Sequence, residues 1–422
     1  MCTVFGYMGE TDIGIGRAIW TYTLEHSKHR GRDAFGFERW DSPIQMMLCN
    51  RRATPTTEID KDFRTQPYDG VVHNGTLANS VELGEKPGEI DSEVLPRVLD
   101  RRDLVSFQQS LLRVKGSYAI AARSFDGSDI FLGVNYKPLW IRYGNCWKIF
   151  SSLKSDLVSP TELPGPQPYR VPPYSVMSLA TGESISIPRE QPNAALVVCS
   201  SGLDSTTAAS IACRTHERVR LLHFDYGCRA TSKEIECIKK IAKYLNDEYG
   251  NCDYVILPID YTKMSNSTLF DPNADIARGI TGVEWSFEWV PARNTVMLAM
   301  ATAYAESNKF GYIYLGNNLE ESGSFADNEE QFILDFNDML YGAVQDGYKV
   351  EIVQPLGHLM KHEIVKLGME MGTPYHLTWS CYRSGEKHCG CCGPDMMRYI
   401  AFQRNGLVDP VPYEIPVDPK LR

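Results

Sequence analysis

Three stretches of this 422-residue chain hold residue types that do chemistry when brought together. The segment WSCYRSGEKHCGCCGPDMMRY (Trp379–Tyr399) places Cys381, Cys389, Cys391 and Cys392 within twelve residues, with Asp395 three positions on. Clustered thiols in a reduced protein are metal ligands or catalysts before they are disulfides. The segment VVCSSGLDSTTAA (Val197–Ala209) runs from an apolar strand pattern into a helical one. At that handover the small residues Ser200, Ser201 and Gly202 let the backbone turn tightly. Their N–H groups, with the helix N-terminus, can cradle a pyrophosphate, and Ser205 and Thr206 add hydroxyls. Cys2 follows the initiator methionine. Removal of Met1 leaves a free α-amine that titrates near neutrality and can serve as base for its own thiol.

The bulk properties bound these readings. Length predicts two domains. A formal charge of −10 argues against coating nucleic acid by bulk electrostatics, although basic clusters stand at Lys28–Arg32 and Arg214–Arg220. The N-terminus lacks a charged segment leading into an apolar core, and no run of about 18 apolar residues occurs. A cytoplasmic protein with no membrane partner is expected.

A proline-rich stretch from Ser159 to Asn193 divides the chain, with a boundary expected near Pro188–Asn193. Before it, CTVFGYMG and GSYAIAARS read as short strands. After it, strand patterns at ALVVCS, VRLLHFDYG, DYVILPI and GYIYLGNN alternate with helical ones, which predicts a parallel α/β sheet. Within TSKEIECIKKIAKYLNDEYG, apolar residues at Ile235, Ile238, Ile241, Ala242 and Leu245 keep helical spacing; Thr231 with Glu234 forms a capping-box pattern, and Gly250 suits the C-terminal stop.

The order S-x-G-x-D-S after an apolar strand resembles the PP-loop, S-G-G-x-D-S, of ATP pyrophosphatases that adenylate a carbonyl or carboxylate oxygen. Ser201 replaces the first glycine. The resemblance implies ATP with Mg²⁺ held at Ser200, Ser201, Gly202, Asp204, Ser205 and Thr206.

In the first half, HRGRDAFGF, NRRAT, QPYDGVVHNGTLAN, DSEVL and GSYA follow in order, with a late VPPYSVMSLATGE. This series resembles the class II glutamine amidotransferase domain, an N-terminal-nucleophile fold. That resemblance implies that Cys2 attacks the side-chain amide of glutamine and that Asn74 and the N–H of Gly75 hold the oxyanion. It implies that Arg52 pairs with the glutamine α-carboxylate, Asp91 with its α-ammonium, and that Arg30 braces the site. Arg32 departs from the usual proline of RGPD, and the neighbouring Arg51 leaves the carboxylate partner open by one position.

In the second half, HFDYGCRA, WVPARNTVMLAMATAYAE, YLGNNLEESGSFADNEEQFI and QPLGHLMKHEIVKLGMEMGTPYHLTWSCY resemble QueC, the 7-cyano-7-deazaguanine synthase. The QueC template implies Zn²⁺ on Cys381, Cys389 and Cys392 with Asp395 in the fourth slot; Cys391 or His388 are alternatives for that slot. Arg293 and Asn294 open or line a helix start and can contact phosphate or base, while Glu321 and Asp327 can read a guanine-like edge. Cys228 stands where QueC usually has glutamine, and FADN (Phe325–Asn328) where it has YPDC.

Together the two halves are similar to the Gat-QueC family, linked to archaeosine-type modification and to 7-deazaguanine modification of phage DNA. The expected fold is an αββα sandwich glutaminase domain over residues 2–190. It is followed by an α/β PP-loop domain over 191–422 (adenine nucleotide alpha hydrolase-like) with a zinc segment at 381–395. The expected activity is release of ammonia from glutamine and its internal transfer to the C7 group of a 7-deazaguanine, free or within tRNA or DNA. A nitrile would give an amidine; a carboxylate activated by ATP would give an amide and then a nitrile. Two other readings stand beside it: an asparagine-synthetase-like amide ligase, and a non-catalytic binder of modified nucleic acid. Self-association into a homo-oligomer is left open.

Overall fold

The computed structural model describes residues 2–9, 34–41, 43–51, 65–158, 166–261, 263–271, 273–274, 278, 289–322 and 325–418. The chain forms two compact units, Met1–Arg189 and Glu190–Arg422. No helix among the described residues is long and apolar enough to cross a membrane.

The first unit is built on two antiparallel sheets. Its strands are β1 (Thr3–Gly9), β2 (Ala34–Asp41), β3 (Ile44–Arg51), β4 (Val71–Leu77), β5 (Gly116–Arg123), β6 (Ile130–Val134), β7 (Trp140–Tyr143), β8 (Trp147–Ser151), β9 (Tyr169–Arg170), β10 (Ser175–Ser178) and β11 (Ser184–Ser186). One sheet runs β2-β3-β1-β8-β7-β9 and the other β11-β10-β6-β5-β4. Alternate residues of each sheet point inward. Val4, Cys49 and Phe150 from the first therefore meet Val72, Ala121 and Leu132 from the second in one core. Helix α1 (Leu104–Leu111) lies on the outer face of the second sheet, capped by Asp103, whose carboxylate accepts from Ser106 N at 2.7 Å. Gly133 permits that approach, since a Cβ there would sit 2.5 Å from Leu111 Cδ1. A single helical turn, Ser155–Val158, packs on β7 and β8 of the first sheet. The described residues thus give two facing sheets with helix outside them.

The second unit is a five-stranded parallel sheet. Its strands are β12 (Ala194–Val198), β13 (Arg218–Asp225), β14 (Cys252–Pro258), β15 (Tyr312–Tyr314) and β16 (Glu351–Val353), in the order β14-β13-β12-β15-β16. Its helices are α2 (Leu203–Thr215), α3 (Thr231–Tyr249), α4 (Arg293–Ser307), α5 (Leu319–Ser322), α6 (Glu330–Ala343), α7 (Lys361–Met371) and α8 (Gly393–Arg404). Both sheet faces are covered, and the central strand β12, AALVV, is apolar throughout. Ala195 and Val197 pack with Ile238, Ile241 and Leu245 of α3. Leu196 and Leu222 pack on the opposite face with Leu298, Ala301 and Phe336 from α4 and α6.

The C-terminal stop of α3 is Gly250 at φ 73°, a left-handed cap. The expected capping box does not form. The N-cap is Ala230 without a side-chain cap, and Thr231 Oγ1 lies 3.3 Å from Cys228 Sγ instead. Glu234 is thereby released from capping and turns toward β13.

Candidate active site

The strand order in the second unit reverses between β12 and β15, and the loops after these two strands leave a crevice at the carboxyl ends of the sheet. Ligands bind open α/β sheets at such a point. A cavity of about 450 Å³ lies there. Ser200, Gly202, Asp204 and Ser205 line it from the loop after β12. Gly202 is the N-cap of α2, so the first-turn N–H groups of that helix face the opening. Ser201 and Thr206 do not line the cavity. Both are fully buried. Ser201 adopts φ 65°, the left-handed conformation that its glycine counterpart would take without cost, and its carbonyl accepts from Trp379 N at 2.9 Å. The turn is therefore made by Ser201 and lined by its neighbours. Gly316, after β15, completes the floor: a Cβ there would sit 2.6 Å from Ser205 N.

Asp204 projects from the first turn of α2 into a cluster that spacing alone did not reveal. Lys361 Nζ, at the start of α7, lies 3.2 Å from Asp204 Oδ2 and 2.9 Å from Glu321 Oε1. Asn318 Nδ2 donates to Asp204 Oδ2 at 3.4 Å, and its Oδ1 accepts from the N–H groups of Glu320 and Glu321. Asp204 Oδ1 is buried with no hydrogen-bond partner among the described residues. Burial pushes the Asp204 carboxyl up to about 6, against the pull of Lys361 and with the push of Glu321. Two carboxylates and one ammonium leave a net negative charge, which suits a divalent cation and its phosphate. Glu321 thus sits on Lys361 beside Asp204, at the phosphate end of the cavity.

At the other end, Arg293 and Asn294 begin α4 after a left-handed Ala292 at φ 52°. The Arg293 guanidinium faces Tyr226, Tyr382 and Asp327. Burial raises the Asp327 carboxyl and Arg293 opposes that rise. Asn294 Nδ2 donates to Asp327 O at 3.3 Å and to Asn328 Oδ1 at 3.1 Å, fixing the turn that carries Asp327. Trp289 and Phe325 lie nearly parallel at the cavity wall, their ring centroids 6.3 Å apart. Planar walls and a carboxylate suit a flat heterocycle with N–H donors.

The four-cysteine segment folds against the same cavity. Cys381, Cys389, Cys392 and Asp395 are buried, with one ligand atom of each within 4.8 Å of all the others. Backbone N–H groups point at the sulfurs: Cys389 N at Cys381 Sγ (3.4 Å), and Cys391 N and Cys392 N at Cys389 Sγ (3.5 and 3.4 Å). Asp395 Oδ1 is buried without a partner among the described residues, while Oδ2 accepts from Gly390 N at 3.0 Å. Three thiols, an orphaned carboxylate oxygen and N–H donors to sulfur fit a tetrahedral cation. Cys391 stands outside this group of four. His388 does too: its Nε2 accepts from Ser380 N at 3.1 Å, and its ring lies against Trp379.

In the first unit, Cys2 precedes β1 and packs half-buried against the core that contains Val4 and Val72. Asn74 and Gly75 lie on β4. The Asn74 side chain is buried with both Nδ2 and Oδ1 lacking partners among the described residues, as an amide kept for a ligand would be. A Cβ at Gly75 would collide with the Ser117 carbonyl. Asp91 Oδ2 accepts from Leu77 N at 2.7 Å and Oδ1 from Ser92 Oγ at 3.1 Å, which leaves lone pairs for an ammonium. Arg30 and Arg52 lie outside the described residues.

The doubly wound sheet and the anion loop at its switch point define the class of the second unit, and comparison with known proteins narrows it. Residues 194–406 match the family model "Queuosine biosynthesis protein QueC". A 7-cyano-7-deazaguanine synthase from Sulfolobus acidocaldarius is 39% identical over 421 residues, covering 93% of this chain and 90% of that protein. A protein of the same name from Methanothrix thermoacetophila is 40% identical over 225 residues, 52% of this chain and 98% of the relative. The chain belongs to the 7-cyano-7-deazaguanine synthase family. Among solved structures, a B. subtilis glutamine phosphoribosylpyrophosphate amidotransferase covers 88% of this chain at 14% identity and TM-score 0.35, too low to carry an argument.

Proposed function

We propose that this protein is a glutamine-dependent, ATP-driven synthase that adds nitrogen to the C7 carboxylate of a 7-deazaguanine and carries it through the amide to the nitrile. The observation that carries the reading is one cavity. The Ser200–Ser205 anion loop, the Asp204–Lys361–Glu321 cluster and the Arg293–Asp327 pocket all open into it. In this reading the α2 N-terminus would hold the triphosphate, and Asp204 would hold a Mg²⁺ that offsets its charge. Arg293 faces the substrate carboxylate, and Asp327 accepts from the base edge. Family membership sets aside the asparagine-synthetase-like reading.

The first unit supplies the nitrogen. The Cys2 thiol attacks the glutamine amide with its own α-amine as base, once Met1 is removed. Asn74 Nδ2 and Gly75 N stabilise the oxyanion, and Asp91 receives the α-ammonium. Arg30 and Arg52 complete the glutamine site. The Asn74 amide, buried with no partner among the described residues, supports this, because such an amide is stabilised when an oxyanion arrives. Zinc on Cys381, Cys389, Cys392 and Asp395 supplies a structural cross-link that fixes Trp379–Tyr382 against the cavity.

The test uses glutamine labelled with ¹⁵N at the side-chain amide, together with ATP, 7-carboxy-7-deazaguanine, and nucleic acid carrying 7-cyano-7-deazaguanine. Label in the free base, dependent on ATP, is the expected result. Label in the nucleic acid without ATP would make the protein an amidine-forming modifier of a polymer. No label anywhere would revive the non-catalytic binder.

A further inference from the structure

The cavity contains a pair of buried groups with no part in the scheme above. His223, near the end of β13, and Glu234, on the first turn of α3, both line it. Their side chains are 2% and 13% exposed, and His223 Nε2 lies 3.8 Å from Glu234 Oε2. His223 Nδ1 is 3.0 Å from Cys199 O. A carbonyl only accepts, so Nδ1 carries the proton and Nε2 is left bare. Nε2 is also buried with no hydrogen-bond partner among the described residues. Burial lowers the basicity of the imidazole and so keeps it neutral. A bare ring nitrogen and a carboxylate then face one another, two acceptors 3.8 Å apart with no donor between them among the described residues. The arrangement is relieved when one proton is added to the carboxylate.

We propose that Glu234, oriented by His223, is the proton acceptor for the nitrogen nucleophile during carbon–nitrogen bond formation. This rests on the synthase reading. The lone pair of ammonia attacks the carbonyl carbon of the adenylated carboxylate, and the C–N bond forms. An N–H proton passes to Glu234. As the carbonyl re-forms, the C–O bond to the nucleotide breaks, AMP leaves, and an amide results. A second ATP adenylates the amide oxygen and releases pyrophosphate. Loss of the remaining N–H protons, each accepted by Glu234 after it has discharged the previous one to water, sends the electron pair into the third C–N bond as AMP departs. Each nitrogen proton needs an acceptor inside the cavity, and Glu234 is a carboxylate on its wall that no lysine or arginine among the described residues holds in an ion pair.

The groups facing Glu234 set where it works. Burial pushes its carboxyl up to about 7; Cys228, whose Sγ lies 3.8 Å away, and Arg293 of α4 pull it down, and Asp225 pushes it up. Cys199 and Tyr226 also lie within its field. An acceptor that titrates near the working pH combines availability with basicity.

The test uses the full chain with Mg-ATP, ammonium chloride and 7-carboxy-7-deazaguanine. Two readouts are followed: carboxylate-dependent pyrophosphate exchange into ATP, and nitrogen incorporation by mass spectrometry at fixed unprotonated ammonia. A wild-type protein that shows neither overturns the synthase reading and Glu234's role with it. If wild type shows both, Glu234→Gln is expected to keep exchange within about threefold and to lose about 10²–10⁴-fold in nitrogen incorporation. Incorporation within threefold of wild type, or equal loss of both readouts in a folded variant, overturns the role of Glu234. Should Glu234→Gln fail to fold, His223→Gln serves: an amide donor in place of the bare nitrogen moves the acid limb of nitrogen incorporation down by about one pH unit. An unmoved limb overturns the assignment.

Discussion

Lys361 and Asp204 meet at 3.2 Å from two helices that start at opposite ends of the second unit's sequence, with side chains 8% and 15% exposed. Lys361 also holds Glu321, whose side chain is 34% exposed, so one ammonium serves two carboxylates. Lys361→Met should therefore lower stability by about 3–5 kcal/mol, the range for removing one partner of a buried pair. Denaturant unfolding checks this. Pyrophosphate exchange should fall as well, because the two acids then repel where phosphate must sit.

Asp204 gives the exchange reaction a pH signature. Burial raises its carboxyl to about 6, so the carboxylate proposed to hold Mg²⁺ is present above that pH and is lost as pH falls through it. Exchange is expected to decline on the acid side of 6. Asp204→Asn should abolish most of the exchange and flatten the limb that remains.

Gly316→Ala tests the floor of the loop. The added Cβ would lie 2.6 Å from Ser205 N and 2.8 Å from its Cα, both backbone atoms that cannot swing aside. A cost of about 1–3 kcal/mol is expected, together with weakened ATP binding by calorimetry.

Cys2→Ala should remove glutamine-dependent product while ammonium chloride still supports it. Loss of both together would mean that the two units do not divide the work as described.

Cys381→Ser should release the metal, seen as zinc stoichiometry falling toward zero, and lower the melting temperature. Asp395→Cys, which restores a fourth thiolate, should keep full stoichiometry. A metal-replete, equally stable Cys381→Ser would contradict the structural site.

Much of this was legible in the residues. The strand patterns at Thr3–Gly9, Ala194–Val198 and Arg218–Asp225 needed only alternation or apolar runs bounded by turns. The thiol cluster needed only spacing. What stayed hidden was long-range. Lys361 reads as one lysine at a helix start, and only the fold brings it to Asp204, 157 positions earlier. Glu234 reads as a capping residue because Thr231 stands three positions before it. The structure starts the helix one residue too early for that cap and turns the acid toward His223. Ser201 reads as a turn residue whose N–H could meet phosphate; the structure keeps the turn, at φ 65°, but buries Ser201 off the cavity wall.

The hydrogen bond from Trp379 N to Ser201 O joins the anion loop to the strand of chain that enters the thiol cluster two residues later. In the zinc reading, the turn of that loop rests on an ion held at the wall of the same cavity. On that reading, a chelator is expected to weaken ATP binding without competing for the nucleotide's own place.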